Sequence, residues 1–410
     1  MKTLLLLFLC AFGFGVSIHG QSLDILIKNG HVIDPKNNRD GVMDVAIRDN
    51  KIVQVAPSIN QPAEKVIDAT GMYVTPGLID IHGHHFFGTQ PGHAYSNSFS
   101  ALPPDGFTLR SGVTTVVDVG GAGWRNFATF KAQTIDRSKT RVLSFLNIVG
   151  AGMSGGTREQ SIDDMDPQAT AKAARENKEY VVGVKLAHFE GNTWVPTERA
   201  VEAGKLAGIP VMIDFGGSNP PLSMETLLMQ KLRPGDIFTH CYGHVKGRMP
   251  LVKDGKVEPY VFKAQQRGVI FDVGHGGGSF TFEQAIPAIE QGFKPNSIST
   301  DLHIGSMNGG MKDMLNIMSK LINIGLTLNE VITCSTWTPA QVIHREELGN
   351  LSEGAPADVV VLSLDKGNFG FVDVRDFRVA GDKKLTCQVT VANGEVVWDL
   401  NGMSSKPFKR

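Results

Sequence analysis

The sequence predicts an α/β protein, a closed eight-stranded (β/α)8 barrel carrying a small β unit assembled from both ends of the chain. Three observations predict it. Short apolar runs alternate with helix-like stretches through the middle of the chain, the pattern of βα units on a parallel sheet. Polar and imidazole residues recur at the C-terminal ends of those runs, where such barrels hold their chemistry. Strand-and-turn texture without helix is confined to the two ends. A doubly wound open sheet is the alternative for the middle. No GxGxxG opens a helix after its first run, so dinucleotide binding has no support.

Residues 1–22 read as a secretory signal: Met1-Lys2 supplies one positive charge, and Leu4 to Val16 is an apolar run too short to span a bilayer. Small residues around Ser17, Gly20 and Ser22 offer cleavage sites, so export to the periplasm or beyond the cell is expected. Cys10 leaves with this segment. Cys241, Cys334 and Cys387 remain, odd in number and without a CxxC, which argues against a disulfide framework or a cysteine zinc site. With Lys+Arg 40 against Asp+Glu 41, the near-zero net charge argues against nucleic acid or an anionic membrane surface as partner. No other segment is long and apolar enough to cross a membrane, and the expected partner is a small molecule. A homo-oligomer is compatible with the sequence.

From 23 to 73 short strands alternate with turns. Asp24-Ile-Leu-Ile-Lys runs into Asn29-Gly30, then His31-Val-Ile-Asp; Asp49-Asn50 turns a second pair. The texture returns from 347 to 410, with Asp358-Val-Val-Val-Leu, Leu385 to Val391, and a hairpin at Asn393-Gly394. Between them, 74–346 holds the barrel. Its expected strands are Tyr73–His82, Val113–Val119, Arg141–Val149, Tyr180–Leu186, Pro210–Asp214, Asp236–His240, Val269–Val273 and Ser297–Asp301.

The chemistry is expected at the ends of these runs. His82 and His84 lie two apart, so an extended strand puts both on one face, and paired imidazoles suit a borderline divalent metal. Lys185 sits inside Val181-Val-Gly-Val-Lys-Leu, where an ammonium must be paired or modified. Pairing to Asp214 is one answer. The other is uptake of carbon dioxide as a carbamate, which makes the side chain an oxygen donor able to bridge two metals. His240 ends Asp236-Ile-Phe-Thr-His on the face opposite Cys241. Asp301 ends Ser297-Ile-Ser-Thr-Asp and can touch a metal and accept the proton of an attacking water. His275-Gly-Gly-Gly278 leaves backbone free beside the site for substrate, and Asp272 and His303 also end runs. His85, His93, His188 and His244 lie just beyond strand ends and are not sorted by sequence alone.

These residues resemble the amidohydrolase superfamily of metal-dependent hydrolases, in its dihydroorotase-like amidohydrolase/deacetylase branch. The likeness runs from about Asp24 to Trp398. It rests on Ile25-Leu-Ile-Lys-Asn-Gly, Val74-Thr-Pro-Gly-Leu-Ile-Asp-Ile-His-Gly-His, Lys185, Thr239-His240, Ser299-Thr-Asp301, Thr338-Pro-Ala-Gln and Leu351-Ser-Glu-Gly-Ala-Pro-Ala-Asp358. It implies a TIM barrel with a small composite β-sandwich and one or two Zn2+ ions. His82, His84 and Asp301 would hold the more buried ion, an N6-carboxylysine at Lys185 would bridge, and His240 would hold the second. The family's further histidine at the end of the fifth strand is replaced by Asp214, a departure that alters the charge of the second position.

The activity this implies is hydrolysis of an amide or ester by metal-activated water, with Asp301 as the proton carrier. The expected substrate is a small N-acyl or O-acyl acid that loses its acyl group. An acid needs a cationic clamp, for which Arg125 in Gly123-Trp-Arg-Asn and His275 are the candidates. A cyclic amidase of the dihydroorotase or hydantoinase kind is the alternative enzyme. A barrel kept only for binding is the alternative from another class, supported by Asp214 alone and discriminated by metal content.

Overall fold

The computed structural model describes residues 22–88, 101–153, 156–214 and 217–408. Residues 1–21 of the expected signal, and His93, lie outside them.

β1 (Leu23–Asp34), β2 (Arg39–Arg48) and β3 (Lys51–Ala56) form an antiparallel meander, turned by Asn38 and by Asp49-Asn50 at positive φ. The sequence places a hairpin turn at Asn29-Gly30; the structure has a bulge there instead. Asn29 sits at φ 60°, the register slips between Ile27 and Gly30, and a Cβ on Gly30 would meet Val74 Cγ2 at 2.3 Å. β4 (Ala63–Asp68) and β5 (Tyr73–Pro76) then pair in parallel with successive stretches of β1.

The expected run Tyr73–His82 is therefore two strands. β5 belongs to the terminal sheet and β6 (Leu78–Gly83) to the barrel, broken at Gly77, where a Cβ would lie 2.1 Å from Thr114 Oγ1. The terminal unit thus reaches past residue 73 to Pro76. β7 (Val113–Gly123), β8 (Arg141–Asn147), β9 (Val181–Ala187), β10 (Val211–Asp214) and β11 (Ile237–Phe238) follow in parallel. A small hairpin, β12 (Val252–Lys253) with β13 (Lys256–Val257), hangs off the next loop before β14 (Ile270–Phe271). Helices such as Pro167–Glu176, capped by Asp166, and Val195–Ala207, ended by left-handed Gly208, return the chain between strands.

The eighth run, Ser297–Asp301, forms no regular strand. It closes the cylinder through isolated bridges from Asp272 to Ser297 and from Gly83 to Leu302. Asp301 N donates to His82 O at 2.7 Å and His84 N to Leu302 O at 2.9 Å. That closure decides between barrel and open sheet.

β15 (Val359–Val372), β16 (Arg378–Ala392) and β17 (Glu395–Asp399) complete the terminal unit, with β15 antiparallel to β5. The result is one mixed eight-stranded sheet in the order β17-β16-β15-β5-β1-β2-β3, with β4 beside β1. One face encloses Ile27, Val45, Val74, Val359 and Val391. The other sends Val360, Leu362 and Phe371 into the same apolar core as Leu78 and Val113 of the barrel.

Candidate active site

The barrel gathers the expected residues at one mouth. His82 and His84 leave the end of β6, Lys185 lies on β9, Asp214 ends β10, His240 follows β11 and Asp301 ends the closing segment; all six are buried. His240 and Asp301 reach the mouth from left-handed backbone, φ 59° and 51°, a conformation that costs a non-glycine residue about 1–3 kcal/mol and that tertiary contacts must hold.

Among the described residues, His82, His84 and Asp301 are a group of donors whose ligand atoms all lie within 4.8 Å of one another. Asp301 Oδ1 is 3.0 Å from His84 Nε2 and 3.6 Å from His82 Nε2. The tautomer of His82 follows from its support. Thr239 Oγ1 donates its one proton to Asp272 Oδ2 at 2.8 Å, so it must accept from His82 Nδ1 at 2.9 Å, leaving a lone pair on Nε2 facing Asp301. Burial, and then the Lys185 charge, pull the His82 pKa down to about 3, so the ring is neutral and fit to ligate. Asp272 is held ionised: burial opposes its charge, but the nearby His82 ring and hydrogen bonds from Ser297 and Ser299 outweigh it. Burial opposes the Asp301 charge too, yet the neighbouring His82 and His84 keep its pKa below the usual carboxylate range.

Lys185 is fully buried, and burial lowers its pKa. Its Nζ lies 3.5 Å from His82 Nε2, 3.7 Å from Met212 Sδ and 3.8 Å from Asp214 Oδ2, all longer than the ~2.7–2.9 Å of a charge-assisted hydrogen bond. Asp80 shares a strand face with His82 but turns away from the mouth, accepting from Thr300 N at 3.0 Å and lying 2.5 Å from Thr300 Oγ1; burial pushes its pKa up to about 7. It ties β6 to the closing segment.

Asp214 is the anionic centre of the outer half. His240 Nε2 lies 3.2 Å and His188 Nε2 3.4 Å from its Oδ2, and Arg248 Nη1 lies 3.8 Å from its Oδ1. A cavity of about 330 Å³ opens over this group, lined by His188, Asp214, His240, Arg248, Asp301 and His303, with Gly277 and Gly278. The inner group of His82, His84 and Asp301, two imidazoles and a carboxylate, is the donor set of a borderline divalent cation such as zinc.

Two expectations are corrected. His275 does not line the cavity: it is fully buried, stacks on Phe280 with centroids 4.5 Å apart, and its Nε2 accepts from Lys320 Nζ at 2.6 Å. Lys320 also donates to Gly310 O and Val372 O, so this pair straps the loop after β14 to the terminal sheet. Arg125 lies outside the cavity as well, over the Trp124 ring and 2.5 Å from Asp164 Oδ1. The cation that reaches the cavity is Arg248, 6% exposed, in a loop with no periodicity to announce it. Glu159, 3.1 Å from His188 Nδ1, was equally unmarked.

A model of the family described as "Amidohydrolase family" matches residues 281–397. A deacetylase of Brucella anthropi is 32% identical over 334 residues, which cover 79% of this chain and 80% of that protein. Among solved structures, one described as an adenine deaminase superposes with a TM-score of 0.83 at 28% identity over 92% of this chain and 100% of its own. A dihydroorotase does so with a TM-score of 0.80 at 29% identity over 92% and 99%. The barrel, its mouthful of imidazoles and carboxylates, and these likenesses agree: the chain belongs to the amidohydrolase superfamily, in its dihydroorotase-like branch.

Proposed function

We propose that this amidohydrolase is an exported enzyme that removes the acyl group from a small N-acyl or O-acyl acid. Hydrolysis of a carbon–nitrogen bond comes with the family, and the deacetylase relative supports the acyl leaving group. The observation that carries the acid is Arg248. Its guanidinium is buried in the wall of the cavity that Asp301 also lines, and its contacts there, 3.8 Å to Asp214 and 3.4 Å to His240 O, leave donors for a substrate carboxylate. The apolar run after Met1-Lys2 supports export.

His82, His84 and Asp301 would hold a zinc ion with Lys185 as its carbamate, and His240 and Asp214 face the position of a second. When bound, zinc supplies a water acidic enough to attack a carbonyl at neutral pH. The chain does the rest. Asp301, ionised, accepts the proton released as the water attacks and delivers it to the departing amine or alcohol. Arg248 fixes the acid group, which orients the acyl carbon toward Asp301. Gly277 and Gly278 bring bare backbone to the cavity rim.

The test compares N-acetyl amino acids and O-acetyl hydroxy acids with their neutral amide and methyl-ester counterparts. The acids should be preferred, and Arg248→Gln should lower their kcat/KM about 100-fold while sparing the neutral series. Equal rates for both series in the wild type would sink the acid-specific reading. The likeness to a dihydroorotase supports a second reading, a cyclic amidase, which ring-opening assays on dihydroorotate and hydantoin would reveal.

A further inference from the structure

We infer that His303 is the hydrogen-bond donor that stabilises the oxygen of the scissile acyl group, through an N–H at Nε2. The inference deepens the hydrolase reading and rests on it. His303 follows the closing segment and lines the cavity beside Asp301. Its Nδ1 accepts from Gly305 N at 3.0 Å. A backbone N–H can only donate, so Nδ1 holds a lone pair and the ring's one proton sits on Nε2. A doubly protonated ring would set two donors against each other. Among the described residues no group accepts from that Nε2.

The ring is fixed before substrate arrives. Ser306, fully buried, accepts from His303 N at 3.0 Å, and its own hydroxyl reaches Asp301 O at 2.9 Å and His303 O at 3.1 Å. The His84 and His303 rings meet edge-on with centroids 6.0 Å apart, and His84 Nε2 is 3.0 Å from Asp301 Oδ1. The donor therefore stands one ring away from the proton carrier. Gly277 keeps the way open, since even a Cβ there would lie 3.7 Å from His303 Cε1, the carbon between the two nitrogens. The other imidazoles of the cavity are committed. His240 has Nδ1 2.5 Å from Gly274 O and Nε2 3.2 Å from Asp214, and His188 has its nitrogens 3.1 Å from Glu159 and 3.4 Å from Asp214.

As water attacks, its oxygen bonds to the acyl carbon, the carbonyl π pair moves onto the acyl oxygen, and a proton passes to Asp301. The pair then returns, the C–N or C–O bond breaks, and the leaving amine or alcohol takes the proton from Asp301. His303 gives up no proton; its hydrogen bond strengthens as charge gathers on the acyl oxygen. That oxygen is common to acids and neutral substrates, so His303 serves both, unlike Arg248.

The test assays the full-length mature protein with Zn2+ on N-acetyl amino acids, their neutral amides and the thioacetyl analogues, whose sulfur is a poorer acceptor. His303→Phe and His303→Leu, which remove the donor at two sizes, should lower kcat about 100- to 1,000-fold for acids and neutral substrates alike, with KM little changed. His303→Gln, which returns an N–H near the Nε2 position, should recover to within about 10-fold of wild type. The wild-type preference for oxygen over sulfur should shrink about 10-fold in the donorless variants, a change that loosened packing does not produce. Circular dichroism and zinc content should match wild type in every variant. Unchanged kcat in a folded donorless variant, or an undiminished preference for oxygen, overturns the inference while the hydrolase reading stands. Loss of zinc from a folded variant assigns His303 to the metal cluster and overturns it too. No turnover of any acyl substrate by the wild type overturns both.

Discussion

Asp301 carries two demands at once, contact with the buried imidazoles and transfer of a proton, and Asn meets only the first. Asp301→Asn is expected to keep zinc bound, counted by elemental mass spectrometry, and to lose 100- to 10,000-fold in kcat. Retained turnover would assign the proton to another group. Asp80 makes the opposite use of burial. Its folded pKa, about 7, lies above the 3.8 of a free aspartate, so the native state holds a proton that the unfolded chain releases. The stability this contributes is full below about 3.8 and is lost as pH rises through about 7. Asp80→Asn keeps the neutral shape without that linkage. In urea unfolding of the metal-free protein, the variant should therefore fall behind wild type as pH drops from 7 to 4, by up to roughly 4 kcal/mol. Parallel profiles would mean that Asp80 is ionised in the fold.

At the scale of elements, the loop after β14 is where backbone space sets the site. Gly274, at φ 44°, would place a Cβ 2.3 Å from Thr239 Oγ1 and 2.8 Å from His240 Nδ1. Gly278, four residues on, meets nothing within 4 Å. Gly274→Ala should thus displace the groups that orient His82 and His240, lowering bound zinc and costing about 2–4 kcal/mol, while Gly278→Ala stays within about 0.5 kcal/mol of wild type. Equal behaviour of the two in metal content and melting would remove the steric account. The run of three glycines was legible in the sequence as a place where backbone lies open beside the site. That His275, beside them, turns into the protein was not, because its partner Lys320 comes from the distant helix Met314–Asn323.

Across the whole molecule, β5 passes straight into β6, and Val360 and Phe371 of the terminal sheet share an apolar core with Leu78 and Val113. Neither unit can lose that face without exposing the other's. Thermal unfolding followed by fluorescence, which senses Trp398 on β17 as well as the barrel tryptophans, and by far-ultraviolet circular dichroism should give one coincident transition. Chelation should lower Tm without splitting it, since a metal at a thousandfold excess over its Kd contributes only about 4 kcal/mol. Two separated transitions would show that the shared core is not what couples the units.

The sequence by itself determined the alternation of strands and helices, the composite unit drawn from both ends, and the placement of His82, His84, Lys185, Asp214, His240 and Asp301 at strand ends. These are local properties, because period and burial are written in consecutive residues. Only the tertiary structure decided that the irregular segment at Ser297–Asp301 closes the cylinder, since its backbone bonds go to Asp272, Val273 and residues 82–84 far away in the chain. It also decided which loop residues reach the mouth. Arg248 and His188 are brought to Asp214 by packing, and Glu159 to His188, whereas Arg125 and His275, which carry the right chemistry in sequence, are committed to Asp164 and Lys320. A loop side chain has no period to fix its direction, so its partner is chosen by what the fold sets opposite it.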